Sequence, residues 1–282
     1  MEIRTDLALE LSDRNTDLRD GIKRQEREEN GVKFTEIDIE DEKTAEKIGK
    51  PVGKYITLEF QNLQKISDYD EIKEQLKKAL EILIETKREN ILVVGLGNSE
   101  ITSDAIGPVT ARHILATRHI AGNFAEQIGL KGLKSVSVIA PDVLGNTGIE
   151  VIETLKGLCD RIKPDAIIVI DALAAGSITR LFTTVQLCNT GISPGSGVKN
   201  ARKELSKKTV GVPVFTIGVP TVVDAQSLAY ELTQKESLSD IDLIVTPKDA
   251  DILCHRISEI ISASLNLFLQ PEIEPDIIMS LV

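Results

Sequence analysis

The run Ile-Leu-Val-Val-Gly-Leu-Gly at 91–97, followed by PVTARHILATRHI at 108–120, SVSVIAP at 135–141, IEVIETLKGLCDRI at 149–162 and DAIIVIDAL at 165–173, decides the fold. Short, almost wholly apolar runs alternate there with amphipathic segments. A strand that is apolar throughout is buried on both faces, and such strands separated by helices pair in parallel between two helical layers. The pattern continues through TTVQLC at 183–188, PVFTIGVP at 213–220, a helix over VVDAQSLAYEL at 222–232, the short run IDLIV at 241–245 and a last helix from about Lys248. Residues 90–282 are therefore expected to form an α/β fold, a three-layer α/β/α sandwich with a mostly parallel sheet and right-handed crossovers.

Upstream, residues 1–89 read as an N-terminal, β-containing extension. KFTEIDI at 33–39 and KYITLEF at 54–60 alternate as half-buried strands do, flank TAEKIG at 44–49, and are expected to belong together. Asp68 and Asp70 open a helix with an acidic first turn, and Ile72, Leu76, Leu80, Ile82 and Leu83 mark an apolar face running to Lys87. The charge run KRQEREEN at 23–30 reads as the solvated face of a helix.

Composition narrows the function classes. The 282 residues carry 33 Lys+Arg against 44 Asp+Glu, a net charge of −11, and 41% hydrophobic residues supply a sizeable core. With 3% aromatic residues and no Trp, stacked-base recognition has almost no material, and the acidic balance repels phosphate backbones, so no direct nucleic-acid partner is expected. No stretch reaches the ~18 consecutive apolar residues of a membrane span. The start, MEIRTDLALE, has neither the basic nor the apolar region of a secretory signal, so a cytoplasmic protein without a membrane partner is expected. Cys159, Cys188 and Cys254 are odd in number, far apart and set in apolar surroundings, which fits reduced core thiols.

In open parallel sheets, reacting groups collect beyond the carboxyl ends of the strands. Three segments there stand out: the glycine turn Gly95-Leu-Gly97-Asn98 leading through Asp104 to Gly107-Pro108; Asp171, closing an otherwise apolar run; and the loop Gly191 to Gly197. A dinucleotide fingerprint would need a third glycine where this chain has Glu100, so that reading fails. Asp104 and Asp171 each follow a strand of one sheet, in which neighbours lie ~4.8 Å apart, so the two can meet at one crest. Two carboxylates sharing a partly dry cleft cannot both ionise cheaply; one becomes an acid beside a base, and such a pair activates water. The competing reading has Asp104 capping the next helix and Asp171 bonded to a loop. HExxH, CxxC and GxSxG are absent, and His113, His119 and His255 suit surface or packing roles, the first two sitting on one expected helix but on different faces.

At these residues the sequence resembles a family. RTDLALE at 4–10, VVGLGN at 93–98, SDAIGP at 103–108, TRH at 117–119, TGIE at 147–150, PDAIIVIDALAAGSI at 164–178, GISPGSGVKNARKE at 191–204, IGVPTVVDA at 217–225 and VTPKDAD at 245–251, in this order, are similar to the germination proteases of spore-forming bacteria. The resemblance spans nearly the whole chain. It implies an atypical aspartic endopeptidase that degrades small acid-soluble spore proteins, located in the forespore or spore core, assembled as a homotetramer, and related in fold to the hydrogenase maturation proteases. It carries the catalytic aspartates onto Asp104 and Asp171. No cofactor and no metal are expected. Backbone amides of Gly97 and Asn98, or of Gly195, Ser196 and Gly197, are candidate oxyanion donors on their glycine-rich geometry.

The resemblance further implies a zymogen that removes its own prosegment at a Glu before an apolar residue, which Glu2-Ile3 fits. Family members from aerobic spore formers carry a longer prosegment and an insertion where this chain has only Gln226 to Leu243. Two other functions fit the same fold: a metal-dependent maturation protease of the hydrogenase type, although the Gly191 to Gly197 loop has no histidine, and a catalytically silent binding protein.

Overall fold

The computed structural model describes residues 4–15, 21–61, 63, 69–85, 87–121, 125, 132–195, 203–233 and 243–281. Among these, the strands form one nine-stranded sheet. Its order is β1 (Ile22–Glu29), β2 (Val32–Ile39), β3 (Gly53–Glu59), β7 (Thr184–Cys188), β8 (Val214–Asp224), β6 (Ala166–Ala175), β4 (Asn90–Gly95) and β5 (Ser135–Ile139), with β9 (Ile244–Val245) pairing β8 off this path. The expected parallel pairing holds for β5–β4, β4–β6 and β6–β8. From β7 outward, through β3 and β2 to β1, every pairing is antiparallel. The sheet is thus mixed rather than mostly parallel. A parallel return needs a crossover of a dozen or more residues, and only the short connection through the 3-10 turn Ile178–Arg180 separates β6 from β7.

Helices cover both faces. One face buries Val93, Ile168, Ile170, Leu187 and Ile217 against α3 (Asp70–Leu83), α4 (Ile106–Arg112) and α9 (Ala250–Leu269). Leu253, Ile257, Ile261 and Leu265 of α9 are all buried there, each contributing about 1.5–3 kcal/mol of transfer free energy. This core packing accounts for α9 being long and apolar enough to cross a membrane by length and composition. The opposite face has two separate covers. Over the parallel strands lie α6 (Val151–Ile162), preceded by the short α5 (Leu144–Thr147), and the single turn α7 (Lys207–Val210). They bury Ile152, Leu155, Cys159 and Val210 in one cluster with Leu92, Val94 and Val169. Over the antiparallel strands lie α1 (Ala8–Arg14) and α2 (Glu42–Ile48), packed on Ile37, Ile39, Tyr55 and Cys188. Between the two covers the sheet carries polar side chains instead of apolar ones: Gln186 on β7, Thr216 on β8 and Asp171 on β6.

The strands of residues 22–59 continue the sheet of the later residues through the β3–β7 ladder, Tyr55 opposite Cys188 and Glu59 opposite Thr184. The charge run at 23–30 is not a helix; it is the edge strand β1 with the start of its turn, closed onto β2 by Asn30-Gly31 at φ 50° and 80°, the pair that favours a tight hairpin. Its side chains are almost all exposed, and charges along an edge discourage pairing with another chain. Two further boundaries differ from expectation. Helix α4 stops at Arg112, so His113 and His119 are not on one helix. Val222–Asp224 extend β8 rather than opening α8 (Ala225–Thr233). The three cysteines are buried and free.

Candidate active site

The crest where β4 ends is built by close backbone approach. Gly95, the last residue of β4, pairs with Ile170 of β6, and the Leu96 amide then donates to the Ile170 carbonyl at 2.8 Å. A methyl group at Gly95 would lie 2.2 Å from the Gly107 carbonyl oxygen, and one at Gly107 would lie 2.1 Å from the Leu96 oxygen and 2.6 Å from the Ile170 oxygen. The glycines therefore let the start of α4 sit directly on the strand ends. Gly97 adopts φ +112°, and a methyl there would meet the Asp104 carbonyl oxygen at 2.0 Å.

This packing folds the 3-10 turn Thr102–Asp104 back over the glycine turn, where the Asn98 amide donates to Asp104 Oδ2 at 2.9 Å. The Asn98 amide, expected among the oxyanion donors, instead orients the carboxylate. Thr221 Oγ1 on β8 donates to the Ser103 carbonyl at 2.6 Å and ties the same turn to the sheet. Asp104 does not cap the following helix: the N-cap of α4 is Ala105, without a side-chain cap bond.

Asp171 lies inside β6 rather than after it. The strand runs on to Ala175 because its ladder with β8 continues past Asp171 opposite Gly218. It is nevertheless the first residue of β6 beyond the end of β4, since Gly95 pairs with Ile170. The residue is 5% exposed. Burial, then the neighbouring Asp104 charge, then that of Asp6, hold its carboxyl well above the ordinary 3.8, against a weaker opposing bond from the Ala172 amide.

Two cavities meet at this residue. One, of about 250 Å³, is lined by Asp104, Asp171, Gly97, Gly195, Lys203 and Thr221, among others. The second, of about 330 Å³, opens in the gap between the two helical covers and is lined by Lys50, Tyr55, Gln186, Cys188 and Thr216. Asp6, Asp171 and Gly195 line both. The sheet crest thus brings together Asp104, Asp171, Gly97 and Gly195. Ser196 and Gly197 fall outside the described residues, as do Glu2 and Ile3.

Asp6 is the residue that reading the sequence missed. Its only signal was an acid placed before the apolar pair Leu7 and Ala8 in the string RTDLALE, and nothing local tells that the segment docks on β6. Among the described residues no group of three or more His, Cys, Asp and Glu side chains is arranged to hold a metal ion. His113 Nδ1 meets the Val109 carbonyl at 2.9 Å, and His119 and His255 are exposed.

Comparison with known proteins points one way. The family model described as Germination protease matches residues 2–235. A germination protease from Caldanaerobacter subterraneus subsp. tengcongensis is 42% identical, the match covering 95% of this chain and 94% of the relative. One from Clostridium tetani is 39% identical over 97% of each chain. One from Bacillus cereus strain 03BB102 is 44% identical over 81% of this chain but 65% of its own length. Among solved structures, the [NiFe] hydrogenase maturation protease HycI from Thermococcus kodakarensis KOD1 matches 68% of this chain and 98% of its own, at 15% identity and a TM-score of 0.36.

Proposed function

The chain belongs to the germination protease family, and from that premise we propose that this endopeptidase cuts small acid-soluble spore proteins during germination with Asp104 and Asp171 as its catalytic pair. Asp171 supplies the proton. Asp104 takes one from a water, which attacks the scissile carbonyl; Asp171 donates to the carbonyl oxygen as the tetrahedral intermediate forms, and a proton then passes to the departing nitrogen. The observation that supports this reading most is a single cavity lined by both carboxylates, one of them with its proton affinity raised by burial first and by the charge of the other second.

Assigning Asp104 as the base fits its geometry. Its Oδ2 accepts the Asn98 N–H at 2.9 Å, a bond that orients the carboxyl group in the cavity it shares with Asp171. In this reading the backbone of Gly195, which lines the wall common to both cavities, donates to the developing oxyanion. The two cavities, on either side of Asp171, would take the substrate chain on the two sides of the scissile bond. A homotetramer, as the family resemblance implies, is part of the same proposal.

Asp104→Asn keeps the shape of the side chain and an acceptor for the Asn98 amide while removing the base. Incubated with a small acid-soluble spore protein and followed by mass spectrometry of the fragments, this variant is expected to cleave about 10²–10⁴-fold more slowly than wild type. Folded Asp104→Asn protein turning over at near wild-type rate would refute the proposal.

A further inference from the structure

We propose that Asp6 is a positioning residue for Asp171: its carboxylate, clasped on the backbone of β6 at the junction of both cavities, is the fixed charge that sets the working protonation state of the catalytic pair. The proposal rests on the aspartate-pair mechanism above and adds a third acid to it. Its geometry starts with the docking of the N-terminal segment. The Asp6 amide donates to the Ala174 carbonyl at 2.9 Å, and the Ala174 amide donates back to Asp6 Oδ2 at 2.9 Å. On the other side, Gln186 Nε2 donates to the Asp6 carbonyl at 3.1 Å, while its Oε1 accepts the Ala8 amide at 2.7 Å. Three bonds therefore fix the backbone and the carboxylate of Asp6, and a fourth holds Ala8 on the same Gln186 side chain.

Anchoring alone does not call for an acid at this place. Leu7 and Leu9 are fully or almost fully buried and supply apolar docking, and Glu10 staples the segment further on by accepting the Gly176 amide at 2.7 Å while its other oxygen meets Arg180 Nε at 3.1 Å. Asp6 is 8% exposed, is held on a peptide N–H, and lies in the wall of both cavities beside Asp171. A buried carboxylate in the wall of the same cavities as a catalytic carboxyl acts on its proton affinity.

The groups that face Asp171 are Asp104 from the 3-10 turn after β4 and Asp6 from the N-terminal segment. Around the cavity walls stand Lys50 and Glu204 on one side and Asp142, Glu150 and Lys203 on the other. Among the described residues, Asp104 first and then Asp6 carry the charges that oppose ionisation of Asp171. Asp104 is occupied as the base and changes charge during the reaction. Asp6 does not take part in proton transfer, so its field persists through the cycle.

The test is the pH dependence of kcat/KM for a small acid-soluble spore protein. Loss of the Asp6 charge makes Asp171 easier to ionise, so in Asp6→Asn the alkaline limb should move to lower pH by about one unit, whereas Asp6→Glu should restore its position. Asn still offers an oxygen to the Ala174 amide, so a merely structural role would leave the limb unmoved, and that result would overturn the proposal. If Asp6→Asn does not fold, Asp6→Gln is compared with Asp6→Glu, which is equal in length and differs in charge: an alkaline limb lower by about one unit in the Gln variant is expected, and coincident limbs would overturn the assignment. Asp171→Asn measured alongside separates the two readings: an active Asp171→Asn enzyme refutes the aspartate pair itself. An inactive one beside an unmoved Asp6→Asn limb refutes only the role of Asp6.

Discussion

Asp171→Asn is expected to lower peptide-bond hydrolysis by about 10²–10⁴-fold while the protein remains folded and, at neutral pH, at least as stable as wild type. The loss follows from removing the only proton that the buried side chain can donate into the cavity it shares with Asp104. The stability follows from linkage. Above the ordinary value near 3.8 the unfolded chain releases the Asp171 proton, whereas the folded chain keeps it, because burial and the Asp104 charge oppose ionisation. Folding therefore takes up a proton in this window. The contribution of Asp171 to stability is complete below the unfolded value and falls as pH rises, at up to about 1.4 kcal/mol per pH unit, until the folded value is passed. Asparagine has no proton to release and escapes that decline. Urea denaturation at pH 4 and pH 7, with cleavage rates on the same samples, checks both halves. A variant that is inactive because it has unfolded would not support the mechanism.

Gly107→Ala is expected to cost about 3 kcal/mol or more, or to prevent folding outright. The added methyl would lie 2.1 Å from the Leu96 oxygen, 2.5 Å from the Leu96 nitrogen and 2.6 Å from the Ile170 oxygen. All three are backbone atoms of the crest, and none can rotate aside as a side chain would. To make room, the start of α4 must lift from the end of β4, carrying with it the turn that orients Asp104 and loosening the Leu96–Ile170 bond. Gly157 is the contrast. It sits within α6, where an added methyl would meet nothing within 4 Å and no positive φ stands in the way, so Gly157→Ala should stabilise the protein by about 0.5–1 kcal/mol through helix propensity. Chemical denaturation of the two variants side by side distinguishes a packing glycine from an incidental one. A Gly107→Ala protein within about 1 kcal/mol of wild type would mean that the crest is not closed as described.

β4, β6 and β8 were legible because each is buried on both faces and so reads as an almost uninterrupted apolar run, whereas the edge strand β5 alternates Ser and Val and is only partly buried. The same property exposed Asp171, since one carboxylate in such a run has no packing explanation. Asp104 was legible for a different reason, as an acid trailing a glycine turn. The role of the glycines was not, because their constraint is the approach of Gly107 to Leu96 and Ile170, a contact between segments far apart in the chain. The antiparallel half was harder. β1 carries charges on both faces because it is an edge strand, and its composition resembles that of a solvated helix; only Asn30-Gly31 signals the hairpin. Asp6 was illegible because its partner, Ala174, lies at the other end of a pairing that no local pattern encodes.

The most direct test of the central claim, that Asp104 and Asp171 work on one reaction as one unit, is a double-mutant comparison of cleavage rates. Groups that act together are not additive: once either is gone, the other has nothing left to contribute. Asp104→Asn, Asp171→Asn and the double variant should therefore all fall to about the same residual rate, ~10²–10⁴-fold below wild type. Losses that multiply in the double variant, to ~10⁴–10⁸-fold, would show the two aspartates acting independently and would contradict the pair.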